Sequence, residues 1–529
     1  MNTIILAAGE GNFLEMVRGK PAIAWSLSKF SKNDHCVIVV RKTNTKLIQY
    51  LKSTHVPRIG IRIELYDETE VLDNVLYSLH LGLKSIPEKY GTRVVLGDTC
   101  VDQELPKRGD FFVCDGSVRV SKNWCLVSMD TSDRILQYFD KQEGVDLTDK
   151  SVLVGYYSMT DTALLKVSVW KALKNGECEL SGAFAKYGEV KPIYGERCQK
   201  WFDFGHISGL VEARLAFFNA REFNSMSVDP ARGTIIKSSR KKQKLLDEAN
   251  WYRDLPLDLS VLAPRVIKAE DQGERFILEM ELFGYPNLAE IFVYGENSTE
   301  DWLYILDKLF LNHKLLEQYK SNIEHEALEY IYKKKTEERV LDLKKIQGLQ
   351  GMVGDDFIEI NGLKLRNLPL LEDAVRVICA ELCDTDCAFT ITHGDYCFSN
   401  ILFDEKHFIF RLIDPRGRFK NSSIYGDPRY DIAKLRHSAV GFYDFIVLGM
   451  YSFRSSNDGS YELNLVADID QQIIEEHFNR LVENQGFNVN EIKKIEALLF
   501  LTMIPLHEDD ESRQRALYLI AIQKLNEVV

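Results

Sequence analysis

The sequence predicts an α/β protein of two domains, an N-terminal mostly parallel sheet and a C-terminal α+β domain that turns helical toward its end. Length is the first of three observations behind this expectation, because 529 residues exceed the size at which one hydrophobic core stops growing. The second is an alternation of short apolar runs with amphipathic stretches up to Asp98, the pattern of strands covered by helices on both faces. The third is a change of character after Asp203-Phe-Gly-His206. A polar, turn-rich stretch from Asn224 to Gly233 follows, and a new strand and helix pattern begins. The boundary is expected near residue 225, giving domains 1–225 and 226–529.

Taken in order, the apolar run Thr3 to Ala8 reads as a strand stopped by Gly9-Glu-Gly11, and Pro21 through Phe30 reads as an amphipathic helix. Cys36 to Arg41 is a buried strand, Val75 to Leu83 a helix, and Arg93 to Leu96 a strand that ends in Gly97-Asp98. Ligands of such sheets sit at the carboxyl ends of the strands. Leu210 to Phe218 reads as a helix. Beyond the boundary come a strand at Thr234 to Lys237, a charged helix at Lys241 to Arg253, a strand at Arg275 to Glu281, and mainly helices from Thr299 onward.

Composition narrows the class of function. With 45% hydrophobic residues, 27% charged residues and 13 prolines, the chain is globular rather than disordered. A formal charge of −13 argues against a nucleic-acid duplex or an anionic membrane as the main partner. No uninterrupted apolar segment approaches the roughly 20 residues that span a bilayer, and Met1 to Ala8 lacks a basic region and cleavage pattern. The expectation is a cytoplasmic enzyme without membrane insertion, with a homo-oligomer left open. None of the ten cysteines forms the close pairs that hold structural zinc, and Cys379, Cys383 and Cys387 read as reduced thiols.

The run Thr392-His-Gly-Asp-Tyr-Cys-Phe-Ser-Asn-Ile-Leu-Phe403 sets Asp395 and Asn400 five residues apart ahead of an apolar strand, and Ile413-Asp414 closes the hairpin that follows. Phosphoryl transfer asks for this kind of set: a carboxylate to orient the acceptor hydroxyl and oxygen ligands to hold Mg²⁺ against the phosphates. Read singly, each element is also a common turn. Together they resemble the aminoglycoside phosphotransferase and choline kinase family. The resemblance implies a bilobal kinase-like domain in which Asp395 is the catalytic base, His393 organises its loop, and Asn400 and Asp414 bind Mg²⁺.

Upstream, the same resemblance makes Lys237 the lysine that meets the ATP phosphates, Glu248 its carboxylate partner, and Glu279 and Met280 part of the strand and hinge that receive adenine. Downstream, Gly426-Asp-Pro-Arg-Tyr-Asp431-Ile-Ala-Lys434 matches a motif in which Asp431 braces the catalytic loop. Asp427 competes with it for that support or for substrate contact. Pro415-Arg416-Gly417 departs from the family, which more often has an aromatic and an acidic residue after the aspartate. Arg416 can therefore be read as a holder of a phosphate or an anionic acceptor, or as an arginine facing a surface carboxylate.

At the other end, Leu6-Ala-Ala-Gly9-Glu-Gly11 follows a strand with glycines where a backbone must approach phosphate or base closely. With Gly19-Lys20-Pro21, Leu96-Gly97-Asp98 and Trp201-Phe-Asp203-Phe-Gly-His206, it resembles the nucleoside-triphosphate transferases of the sugar-1-phosphate and phosphocholine type. That implies a Rossmann-like sheet in which Leu6, Ala8, Gly9 and Gly11 contact the nucleotide and Asp98 and Asp203 hold Mg²⁺. Arg18 or Lys20 would meet the triphosphate, and Lys141 a substrate phosphate. Phe13 stands where relatives carry a basic residue. Jointly, the resemblances imply an enzyme that phosphorylates a small alcohol with ATP and couples the product to CTP or another nucleoside triphosphate for surface polysaccharide assembly. The alternative is an active kinase with a non-catalytic N-terminal half.

Overall fold

The computed structural model divides the chain into two compact units, residues 1–217 and 218–529. It describes all residues except 10–12, 15, 18–19, 28–29, 31–34, 68–73, 102, 107–108, 117–123, 143–145, 199–200, 205–223, 230, 296, 421–422, 457–458 and 468. The helix expected at Leu210 to Phe218 lies outside the described residues.

The first unit begins with β1 (Asn2–Ala7), α1 (Ala22–Leu27), β2 (His35–Arg41), α2 (Thr45–Ile59), β3 (Arg62–Tyr66), α3 (Val75–Lys84) and β4 (Thr92–Leu96). The four strands pair in parallel in the order β4-β1-β2-β3, with Ile4 opposite both Val37 and Val94. Every residue of β1 is buried, which accounts for its unbroken apolar run: a strand covered on both faces has no polar side to show. There follow β5 (Thr99–Val101), β6 (Phe111–Asp115), β7 (Cys125–Met129), β8 (Ile135–Asp140), β9 (Lys150–Met159), α4 (Thr162–Lys174), α5 (Leu180–Gly188), β10 (Tyr194–Arg197) and β11 (Trp201–Asp203).

These later strands correct the expectation of a mostly parallel sheet. β9 lies antiparallel against β4 and carries β6 and β7 antiparallel along its length, so the nine-stranded sheet is mixed. A tight turn adds one further antiparallel pair. Asp130 Oδ1 accepts the backbone N–H groups of Ser132 and Arg134 at 2.8 and 3.0 Å, folding β7 back onto β8 as a hairpin. Strands joined by so short a turn can only be antiparallel.

In the second unit, β12 (Asn224–Asp229), β13 (Thr234–Ser239), β14 (Val266–Asp271) and β15 (Phe276–Glu281) form an antiparallel sheet in the order β12-β13-β15-β14. Helix α6 (Lys242–Asp254) follows β13 and buries Leu245, Glu248, Ala249, Trp251 and Tyr252. The remainder is largely helical: α7 (Leu288–Tyr294), α8 (Thr299–Leu316), α9 (Lys335–Leu343), α10 (Leu368–Cys383), α11 (Pro428–Ala439), α12 (Gln471–Asn484), α13 (Val489–Met503) and α14 (Glu511–Val528). Strand β16 (Phe389–Ile391) leads into a hairpin of β17 (Ile401–Asp404) and β18 (Ile409–Leu412). Every residue of α11 is buried, and its main helical neighbour is α13. Asp427 caps it by accepting the Arg429 N–H, and Pro428 opens it where no backbone donor is needed. Among the described residues, no helix is long and apolar enough to cross a membrane.

Candidate active site

Hairpin register brings the expected metal ligands of the C-terminal unit together. Ile401 pairs with Leu412, and beyond that pair the Ile413 N–H donates to the Asn400 carbonyl at 3.0 Å. Asn400 and Asp414 therefore leave the same mouth of the hairpin. Asn400 Nδ2 donates to the Asp395 carbonyl and to Asp395 Oδ2, both at 3.0 Å, which commits its hydrogens and leaves Oδ1 as the atom that can bind a cation. Asp414 has a side chain 51% exposed and a φ of 55°, a left-handed backbone that few non-glycine residues adopt. An amide oxygen and an open carboxylate are hard oxygen donors, and they fit Mg²⁺.

The loop before the hairpin is held from beneath. Asp431 in α11 is fully buried and accepts the N–H groups of His393 and Gly394 at 2.6 and 2.7 Å. His393, also buried, accepts the Asp395 N–H at Nδ1 (3.3 Å), so its Nε2–H donates to the Ile413 carbonyl at 3.0 Å. Burial pushes its pKa down and keeps the ring neutral. The imidazole thus ties the loop bearing Asp395 to the strand end bearing Asp414. Asp427, weighed against Asp431 for this support, is instead consumed by Arg429 at 2.7 Å and the Tyr332 hydroxyl at 2.8 Å. For Asp431→Asn we expect a stability loss of about 1–3 kcal/mol, because an amide cannot accept both N–H groups. A urea midpoint unchanged from wild type would remove Asp431 from this role.

Asp395 sits where a substrate can reach it. Its side chain is 40% exposed, and its Oδ1 lies 2.9 Å from Nζ of Lys434, which is 8% exposed. Burial raises the Asp395 pKa, but the charge and hydrogen bond of Lys434 outweigh it and hold the carboxyl well below the usual range. It stays ionised and ready to accept a hydroxyl hydrogen bond.

Lys237, within β13, bridges two carboxylates: Glu248 Oε1 at 2.7 Å and Asp414 Oδ1. Burial disfavours its charge, but Asp414 and Glu248 more than compensate and raise its pKa. Helix α6 supplies the rest of the clamp. Tyr252 accepts the Asp414 N–H at 3.0 Å, and Trp251 Nε1 donates to the Thr392 carbonyl at 2.8 Å. Contact is close enough that Gly417, with a φ of 82°, has its missing Cβ position 2.3 Å from the Asp247 carbonyl carbon. Glu279 and Met280 sit in the strand flanked by β13 and β14, their backbone groups drawn into those ladders. The Glu279 carboxylate pairs with Arg232 at 2.6 Å. Backbone past the ladder begins after Leu282, whose N–H still donates to the Gly233 carbonyl.

In the first unit, β11 pairs antiparallel with β5, setting Asp203 opposite Thr99, and the Phe204 N–H donates to the Asp98 carbonyl at 2.8 Å. Aspartates far apart in sequence are thereby neighbours across a short ribbon. The ribbon starts at the carboxyl end of β4, where the Gly97 N–H donates to the Leu6 carbonyl at 2.9 Å. Leu6 and Ala8 are buried beside this edge, and Gly9 is exposed. Gly11 and Arg18 lie outside the described residues, and Lys20 is described by its backbone alone, opposite Val17. Lys141, at the end of β8, directs its ammonium to Glu179 at 3.3 Å.

Sequence reading missed Lys434, Tyr252 and Trp251. Lys434 stands one helical turn after Asp431, a spacing that puts both on one face toward the loop and could have flagged it.

No protein-family model matches the chain, and no curated protein matches it. Solved structures similar to it include an aminoglycoside-3'-phosphotransferase of type VIII, at 13% identity, covering 54% of this chain and 91% of that one with a TM-score of 0.31. A putative fructosamine-3-kinase from Haemophilus somnus is similar at 10% identity, covering 57% and 88%, with a TM-score of 0.33. A 4-diphosphocytidyl-2C-methyl-D-erythritol synthase is similar at 12% identity, covering 41% of this chain and 99% of that one, with a TM-score of 0.28.

Proposed function

We propose that the C-terminal unit transfers the γ-phosphoryl group of ATP to a hydroxyl of a small molecule. The observation that carries this reading is the convergence of Lys237 and Glu248 with Asp414, and of Asn400 with Asp395, around one hairpin mouth. Asp395 orients the acceptor hydroxyl. The acceptor oxygen bonds to Pγ as the bond from Pγ to the ADP oxygen breaks, and the hydroxyl proton passes to Asp395 late, since Lys434 keeps that carboxylate a weak base. Lys237, held by Glu248, exchanges Asp414 for a phosphate oxygen. Mg²⁺, when bound to Asn400 Oδ1 and Asp414, supplies positive charge against the phosphates. ATP-dependent formation of an organic phosphate ester, assayed on the purified chain, tests this function.

We further propose that the N-terminal unit couples the phosphorylated product to CTP or another nucleoside triphosphate, with Asp98 and Asp203 as Mg²⁺ ligands, for surface polysaccharide assembly in the cytoplasm. An oxygen of the product phosphate attacks Pα, and pyrophosphate leaves. The adjacency of the two aspartates across the β5–β11 ribbon supports this. For Asp98→Asn we expect pyrophosphate release to fall by roughly 10²-fold or more while ATP consumption persists. A second reading leaves this unit non-catalytic. Phe13, only 4% exposed where relatives carry a basic residue, and Lys141, engaged with Glu179, favour it. Background pyrophosphate release from the wild-type chain, given the phosphorylated product and each nucleotide, would select that second reading.

A further inference from the structure

Beside Asp395 the site carries more positive charge than its carboxylates answer. Arg416 donates its backbone N–H to the His393 carbonyl at 2.9 Å, and its guanidinium stacks 4.8 Å from the centre of the Phe419 ring. Its Cβ comes so near the loop that a Cβ on Gly394 would stand 2.7 Å from it, so the loop is shaped around this arginine. Phe419 packs edge-on against Tyr430, and the Tyr430 hydroxyl lies 3.4 Å from Nζ of Lys335 on the facing helix α9. Lys434 stands one turn after Tyr430 on α11, paired with Asp395.

Among the described residues, no carboxylate lies within ion-pair distance of Arg416 or Lys335. Asp395 pairs with Lys434 and also feels the Arg416 charge. The three cations feel one another and the phenol between them. Burial raises the Tyr430 pKa, but Lys335, Lys434 and Arg416 together draw it down to about 8. Tyr430 raises the Lys335 pKa, and burial with Arg416 and Lys434 reverses this to a net lowering. Partly buried like charges without counter-charges are costly to hold and favour a ligand that brings negative charge. Arg416 and Lys335 are both partly exposed, so such a ligand can reach them.

We propose that the acceptor is an anionic alcohol, its hydroxyl on Asp395 and its carboxylate or phosphate held between Arg416 and Lys335. This rests on the phosphotransferase reading and narrows its substrate class. An acceptor with an amine at the same place meets two cations and is rejected. Arg416 presents a planar donor fork to the anion, and Lys335 adds a point charge opposite it. Both are specificity-determining residues that never touch the transferring phosphoryl group.

The test uses the full chain saturated with Mg²⁺ and a non-hydrolysable ATP analogue, titrated calorimetrically with glycolate, hydroxyethyl phosphate, glycolamide and ethanolamine. We expect one of the two anions to bind at least ~10-fold more tightly than glycolamide, and ethanolamine to bind least. Which anion wins separates a carboxylate from a phosphate acceptor. Arg416→Gln and Lys335→Met should each weaken the preferred anion by about 10-fold, and Arg416→Lys should restore part of that loss. Equal binding of glycolate, hydroxyethyl phosphate and glycolamide, tighter binding of ethanolamine, no binding of either anion, or an anion preference that survives both substitutions would overturn the proposal. The ATP analogue's own titration is the separate check on the phosphotransferase reading: if it does not bind, that reading fails, whatever the anions do.

Discussion

Asp395→Asn should abolish most phosphoryl transfer, with kcat falling by about 10²- to 10⁴-fold, while the affinity for ATP with Mg²⁺ changes little. The amide nearly matches the carboxylate in size but cannot orient and deprotonate a hydroxyl. A second effect follows from Lys434, which is 8% exposed and loses the carboxylate 2.9 Å away. Removing one partner of a buried pair is expensive, but Asp395 is 40% exposed and water screens part of the loss, so roughly 1–3 kcal/mol of stability should go with it. Adding Lys434→Met should recover stability without recovering transfer. Pyrophosphate release from separately supplied phosphorylated acceptor should persist in Asp395→Asn. Near wild-type transfer by that variant would show that Asp395 is not the residue that receives the hydroxyl.

Asp414→Asn should be comparably damaging for a different reason. Asparagine tolerates the left-handed backbone at φ 55°, so the turn should survive. Lost instead are a negative ligand for the cation and the carboxylate that Lys237 faces together with Glu248. A bound cation contributes several kcal/mol to a developing phosphoryl charge, so kcat/KM should fall by roughly 10³-fold, with saturation shifted to higher Mg²⁺ concentration. The two variants differ in kind: Asp395→Asn should leave the Mg²⁺ dependence where it was. An unchanged Mg²⁺ titration in Asp414→Asn would take this residue out of the cation site.

Local spacing made the clustering of Asn400 and Asp414 legible. A hairpin fixes its own register, so an asparagine just before β17 and an aspartate just after β18 must meet at its mouth, and this could be read from the apolar runs alone. Asp98 and Asp203 are a different case. Nothing local joins them, and only the likeness of two distant motifs to one family suggested the pairing that the β5–β11 ribbon makes. Tyr252 and Lys335 were opaque because their partners come from other elements. The mixed sheet was missed where the Asp130 turn folds two weakly patterned strands into a hairpin. Glu279 and Met280 show a limit of the reverse kind, since a motif can locate a strand without telling whether its backbone is already paired on both sides.

The most direct measurement of the central claim is the fate of the γ-phosphoryl group. The purified full chain is incubated with γ-labelled ATP, Mg²⁺ and a fractionated extract of small metabolites, and labelled products are separated and weighed by mass spectrometry. Label is expected in a phosphate ester of an anionic alcohol, formed by the wild-type chain and lost in Asp395→Asn. Label found only as inorganic phosphate or on protein, or in the same organic product at the same rate with Asp395→Asn, would contradict it.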